Sequence, residues 1–247
     1  MRHLFITFIA LLVSTSASAQ IIYMQSHHVK AEDMETFEQN EMMYFAEVAE
    51  KSIEDGNMGG WYFLKRVDAG SVLHDETEPT HLFVNVYESI DQLTSGAGWA
   101  GATDVLGFDP SLIQSESTLL AVQYFKTESL IEDDGFTHTI LNFAKPIDGA
   151  GFLDENINLW KPFFEANMEA TGMQGWGIAS KFYPQGMDHS TFMTWDHFNS
   201  LADAMKHLAG ENLLLGGENI LEQSNMSEYA PDGFRYRVLF ENLDSRF

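Results

Sequence analysis

The chain contains no cysteine. Disulfides, thiolate catalysis and cysteine-ligated metal are therefore excluded, and the fold must rest on packing alone. Bases are scarce: 13 Lys and Arg face 37 Asp and Glu, for a formal net charge of −24. So acidic a surface repels nucleic-acid phosphates and anionic membranes, and neither is expected as a partner. The acids are scattered without the spacing of a calcium loop, so no metal site is expected. No segment after the amino terminus approaches the roughly 18 uninterrupted apolar residues of a membrane span. There is no Gly-x-Ser-x-Gly elbow for a serine nucleophile. The glycine-rich residues 96–101 have no Lys or Arg beside them, which removes a phosphate-loop reading.

What is present is apolar and aromatic: 45% of the chain is hydrophobic, and 13% of the chain is Phe, Trp or Tyr. The first nineteen residues read as a signal peptide. Met1-Arg2-His3 is a short basic start, residues 4–13 are an apolar run too short to span a bilayer, and Ala17-Ser18-Ala19 fits a cleavage site before Gln20. A periplasmic or secreted protein is expected. Residues 20–247 suffice for one large domain or two of about 110 residues each.

The sequence favours two. Residues 52–65 open a strand on Gly60-Trp61, and residues 167–180 repeat this with Gly175-Trp176. The offset is 115 and extends without a gap upstream to Lys30 and Lys145. A first unit over 20–127, an acidic linker over 128–135 and a second unit over 136–247 follow from this. In the first unit, strands are expected at 20–26, 61–67, 81–87 and 119–126. A helix is expected at 33–55, and a second begins after Ser89, an N-cap with Gln92 three residues on. In the second unit, strands fall at 137–143, 176–183, 191–195 and 233–241, and helices at 154–170 and 197–209. Pro162 should kink the first of these helices. The fold class is α+β: two tandem ferredoxin-like β-α-β-β-α-β units whose sheets cover one another as a pseudo-dimeric α/β barrel.

With Lys30 and Lys145 before the helices, Gly60-Trp61 and Gly175-Trp176 opening strands, and the aromatic–acid pairs Tyr87-Glu88 and Trp195-Asp196 closing others, the chain resembles the dimeric α/β-barrel superfamily. The resemblance covers nearly all of residues 20–247. It implies the barrel fold, and a superfamily that includes cofactor-free monooxygenases, small-molecule isomerases, haem enzymes and many exported proteins of unknown role. Lys161-Pro162 after Trp160 looks most like that last group. No catalytic residue of the superfamily maps onto this chain, and no cofactor is expected.

A pocket is expected between the two sheets. Tyr23 and Gln25 share a strand face by the two-residue period, and His138 takes the place of Tyr23 under the 115 offset. Asn85 is a polar residue inside an apolar strand and needs a partner. Trp61 and Trp176 are candidate walls, against the simpler reading of them as core. In this arrangement a small, largely apolar molecule is oriented by Tyr23, His138 and Asn85. His138 is the member able to move a proton near neutral pH, as in a cofactor-free enzyme. The alternative is a non-catalytic interaction or oligomerisation module with a filled barrel. The other histidines read as structural: His81 and His189 at exposed strand ends, His197 and His207 solvated on different faces of the last helix.

Overall fold

The strand sequences alternate side chains between two faces, and both faces are apolar. In β1 (Ile21–His28), Ile22 and Met24 are buried on one face and Ile21 on the other. A sheet apolar on both faces needs a cover on each. The computed structural model, which describes residues 20–71, 75–213 and 219–247, shows how both are covered. The expected signal peptide lies outside the described residues.

Beside β1 stand β2 (Gly60–Arg66), β3 (His81–Tyr87), β4 (Thr118–Ile131), β5 (His138–Ala144), β6 (Met173–Tyr183), β7 (Phe192–Phe198) and β8 (Phe234–Arg246). They close into a barrel in the order β1-β3-β2-β8-β5-β7-β6-β4, every pairing antiparallel. The first half contributes β4-β1-β3-β2 and the second β8-β5-β7-β6. Strands β2 and β8, and β4 and β6, join the halves. Closure leaves no sheet edge exposed.

Helices pack outside. Between β1 and β2 run α1 (Met34–Asn40), a π-helical turn (Glu41–Phe45) and α2 (Ala46–Glu54). Short helices α3 (Ile90–Thr94), α4 (Ala97–Ala100) and α5 (Ala102–Leu106) precede β4. Between β5 and β6 run α6 (Gly149–Glu155), a second π-helical turn (Asn156–Trp160) and α7 (Lys161–Thr171). Then α8 (Leu201–Leu208), α9 (Ile220–Gln223) and α10 (Met226–Tyr229) precede β8. None of the described helices is long and apolar enough to cross a membrane.

Three apolar clusters result. One fills the barrel with Ile22, Met24, Leu64, Leu82, Phe125, Leu141, Val238 and Phe240. The others lie between sheet and helices, around Phe37, Trp61, Phe63 and Phe83 in the first half and around Phe152, Phe164, Trp176 and Ile178 in the second. Side chains of even and odd number on a strand thus serve different cores.

Several boundaries differ from expectation. Strand β4 runs to Ile131, into the stretch read as a linker, because it pairs with β6 as far as Trp176. Strand β7 runs to Phe198, so His197 belongs to a strand and not to the last helix. That helix starts at Leu201, where Ser200 Oγ accepts the Asp203 N–H at 3.1 Å; Ser89 Oγ likewise accepts the Gln92 N–H at 3.1 Å. The capping serines therefore place Phe198, not Trp195, opposite Tyr87. Pro162 sits in the first turn of α7, where a missing N–H is tolerated, directly after the π-helical turn. His81 is fully buried, not exposed, with Nε2 at 3.1 Å from Glu38 Oε1.

Candidate functional site

The register of the strands shows which residues occupy matching positions in the two halves. In the first half Trp61 pairs with Asn85, and Phe63 pairs with Phe83. Phe63 and Phe83 stack at 5.0 Å, with Phe37 over Phe63 at 5.9 Å. In the second half the matching pairs are Trp176 with Asp196, and Ile178 with Thr194. An isoleucine and a threonine thus stand where two stacked rings fill the first half. The space left is a cleft of about 540 Å³ between the sheet and its helices.

The walls are Phe152 from α6, Trp160 from the π-helical turn, Phe164 from α7, and Trp176 from β6. On the floor Asn142, Thr194 and Asp196 are 2%, 3% and 3% exposed. The Asn142 amide donates to Asp196 Oδ2 at 2.7 Å and to Thr194 Oγ1 at 3.1 Å. Arg237 stands exposed at the rim, and its Nε donates to Asn142 Oδ1 at 2.7 Å. From the last turn of α8, buried His207 brings Nε2 to 3.6 Å from Asp196 Oδ2. Its Nδ1 is buried and has no partner among the described residues.

The roof is held from behind. Buried Glu155 accepts from Trp160 Nε1 at 3.0 Å, from Ser224 Oγ at 2.6 Å and from the Asn225 N–H at 2.8 Å. One carboxylate therefore ties the π-helical turn to the chain entering α10. π-Helical turns commonly occur where a helix must aim side chains at a site. Apolar walls with a few converging buried polar groups are the usual make-up of a small-molecule site. Here the polar set includes a carboxylate and an imidazole 3.6 Å apart.

No family model matches this chain, and no curated protein matches it in sequence. Its fold does match solved structures. A protein described as a candidate monooxygenase from Fusobacterium nucleatum superposes with a TM-score of 0.57 at 10% identity, over 93% of this chain and 94% of that one. An anthrone oxidase-like protein gives 0.54 at 10% identity, over 94% of each chain. A candidate monooxygenase from Lactobacillus acidophilus gives 0.51 at 10% identity, over 92% and 96%. The likeness is one of fold, the closed α+β barrel that the superfamily resemblance implied.

The six residues singled out from the sequence do not gather in one pocket between the sheets. Tyr23, Asn85 and Trp61 do lie in one row across β1, β3 and β2, and Asn85 Nδ2 donates to the Tyr23 carbonyl at 3.4 Å. That row faces the helices of the first half, with Gln25 next on the same face. His138 starts β5, on the far side of the barrel from β1, half-buried with Nδ1 at 2.9 Å from Thr137 Oγ1. Of the six, Trp176 lines the cleft. Between the sheets, cavities of about 290 and 430 Å³ lie among the described residues, one towards each mouth of the barrel. Asn142, Asp196 and His207 were missed. The signal was present, since Asn142, Thr194 and Asp196 are polar residues inside apolar strands, the rule applied to Asn85 alone.

Proposed function

We propose that the chain binds a small, largely apolar molecule with one oxygen-bearing group in the second-half cleft, and that Asp196 and His207 move a proton on it without a cofactor. The observation that carries this reading is the buried Asp196–His207 pair opening on an apolar space. A buried carboxylate is costly to keep unless it is paired, and a pair beside an empty apolar space is poised for acid–base work.

The anthrone oxidase-like neighbour suggests the substrate class: fused aromatic ketones with an acidic methylene. His207, steadied by Asp196, accepts the methylene proton, and Arg237 at the rim offers a cation to the oxyanion that forms. Dissolved oxygen then takes the electrons, and anthrone plus O₂ gives anthraquinone plus water. The test is quinone formation and oxygen uptake with anthrone under air. Wild-type protein should accelerate both, and Asp196→Asn and His207→Gln should each lower the rate by about 100-fold or more. Equal rates in wild type and both variants would reject the catalytic part of the reading.

We further read the two halves as copies of one ferredoxin-like unit. Their strand orders match, and the π-helical turns Glu41–Phe45 and Asn156–Trp160 lie at the 115 offset. Removal of residues 1–19 on export completes the proposal. The intact mass of exported protein should correspond to a chain starting at Gln20, and retention of Met1 would contradict it.

A further inference from the structure

The barrel mouth formed by the end of β4 and the start of β5 holds a second histidine–carboxylate pair, independent of the cleft. His197 Nδ1 lies 2.7 Å from Asp133 Oδ2. Asp133 Oδ1 is fixed by the Gly135 N–H at 2.8 Å, and the imidazole stacks on Phe136 at 3.6 Å between ring centres. Ring and carboxylate are thus each held from two sides. With Nδ1 bonded to a carboxylate, the neutral ring carries its proton there, and Nε2 is left as a base. No described residue bonds Nε2, and His197 lines the cavity of about 290 Å³.

The backbone is shaped around this pair. A Cβ on Gly175 would stand 2.5 Å from Asp133 Oδ2, and one on Gly177 would stand 2.0 Å from the Trp195 indole. Both glycines face the barrel, where they admit the carboxylate and lay the indole flat against β6. Two hydroxyls in the same cavity, Thr127 Oγ1 and Thr139 Oγ1, are buried without partners, on residues 7% and 1% exposed. Buried hydroxyls without partners are uncommon in native folds and mark places where a ligand or water completes the bonding. Burial alone would raise the pKa of Asp133, but the bonds from His197 and the Gly135 N–H outweigh it and hold the carboxyl below its usual range.

We propose that this mouth is a second site, in which His197 Nε2, oriented by Asp133, acts as a general base on a small planar aromatic molecule with an acidic C–H or O–H. Tyr62, Trp195 and Phe247 provide the apolar walls. The threonine hydroxyls are placed for the molecule's heteroatoms.

The probe is 5-nitrobenzisoxazole, whose ring opening needs a base and no co-reactant. The ring C–H proton passes to Nε2, the C–H electron pair completes a nitrile, the N–O bond breaks, and a coloured cyanonitrophenolate leaves. Wild-type protein should open the probe with saturation, at least about 100-fold faster than the same concentration of free imidazole. His197→Gln should lose that acceleration, and Asp133→Asn, which keeps the shape but not the charge, should lower it about 10-fold. A wild-type rate no higher than that of imidazole overturns the proposal. So does a rate unchanged in His197→Gln, since the Asp196–His207 cleft would then be the source. If His197→Gln does not fold, Asp133→Asn is read in its place, and an unchanged rate there overturns the proposal equally.

Discussion

Single residues carry the sharpest consequences of this fold. Glu41, in the first π-helical turn, is buried, and burial pushes its pKa from 4.5 up to about 8. Between those values the folded state holds a proton that the unfolded state releases, so stability falls as pH rises through the window. Glu41→Gln removes this dependence. Urea titrations should show the variant gaining on wild type as pH goes from 5 to 8, by roughly 3 kcal/mol at neutrality. Parallel stability curves would show that Glu41 is ionised in the fold. His27, held down at about 4 by burial and then by His81, gives the opposite slope in acid, but it is common to both proteins and cancels. At this scale the sequence was legible only in residue type: it singled out polar residues inside apolar strands without placing them. Asn85, expected to need a partner, has its Nδ2 at 3.4 Å from the Tyr23 carbonyl while its Oδ1 is buried without one, and Trp176, expected between the sheets, lines the cleft between sheet and helices. Asp196 and His207 escaped because Asp196 was aligned with Glu88, an exposed residue, whereas the barrel pairs it with Trp176 as Asn85 pairs with Trp61.

At the scale of elements, the Gly175-Trp176-Gly177 stretch shows how one strand serves two cores. Its tryptophan faces the helices while its glycines face the barrel under Asp133 and Trp195. Gly177→Ala should therefore cost on the order of 1–3 kcal/mol, because a methyl group cannot share the space of the indole. Gly101→Ala is the control: nothing lies within 4 Å of its Cβ position and its φ is −85°. That variant should be unchanged or slightly more stable, since alanine lowers the freedom of the unfolded chain. Equal melting temperatures for the two variants would show that Trp195 does not rest on β6. Strand and helix types were legible from hydrophobic period and caps, as β3 and the Ser89 cap show. Which strand face turned inward was not. A two-residue period with apolar residues on both faces marks neither, and only the closure of the barrel decides.

For the whole molecule, the barrel was legible from the 115-residue spacing of the Gly-Trp pairs in the sequence, because two one-sided α+β sheets cover each other most simply by closing face to face. The asymmetry of the halves was not legible from the repeat itself. At two matching positions Ile178 and Thr194 stand where the first half has the stacked pair Phe63 and Phe83, and Thr194 lines the cleft. The first half shows that phenylalanine is tolerated at both, so Ile178→Phe with Thr194→Phe should fill the cleft and keep the fold, with an unchanged circular dichroism spectrum. The central claim is that this cleft holds a small apolar molecule. Native mass spectrometry of wild type and the filled double variant, both recovered from the producing cells, tests it most directly. The account predicts a retained mass of a few hundred daltons on wild type and none on the variant. The same mass retained on both, or none on either, would contradict it.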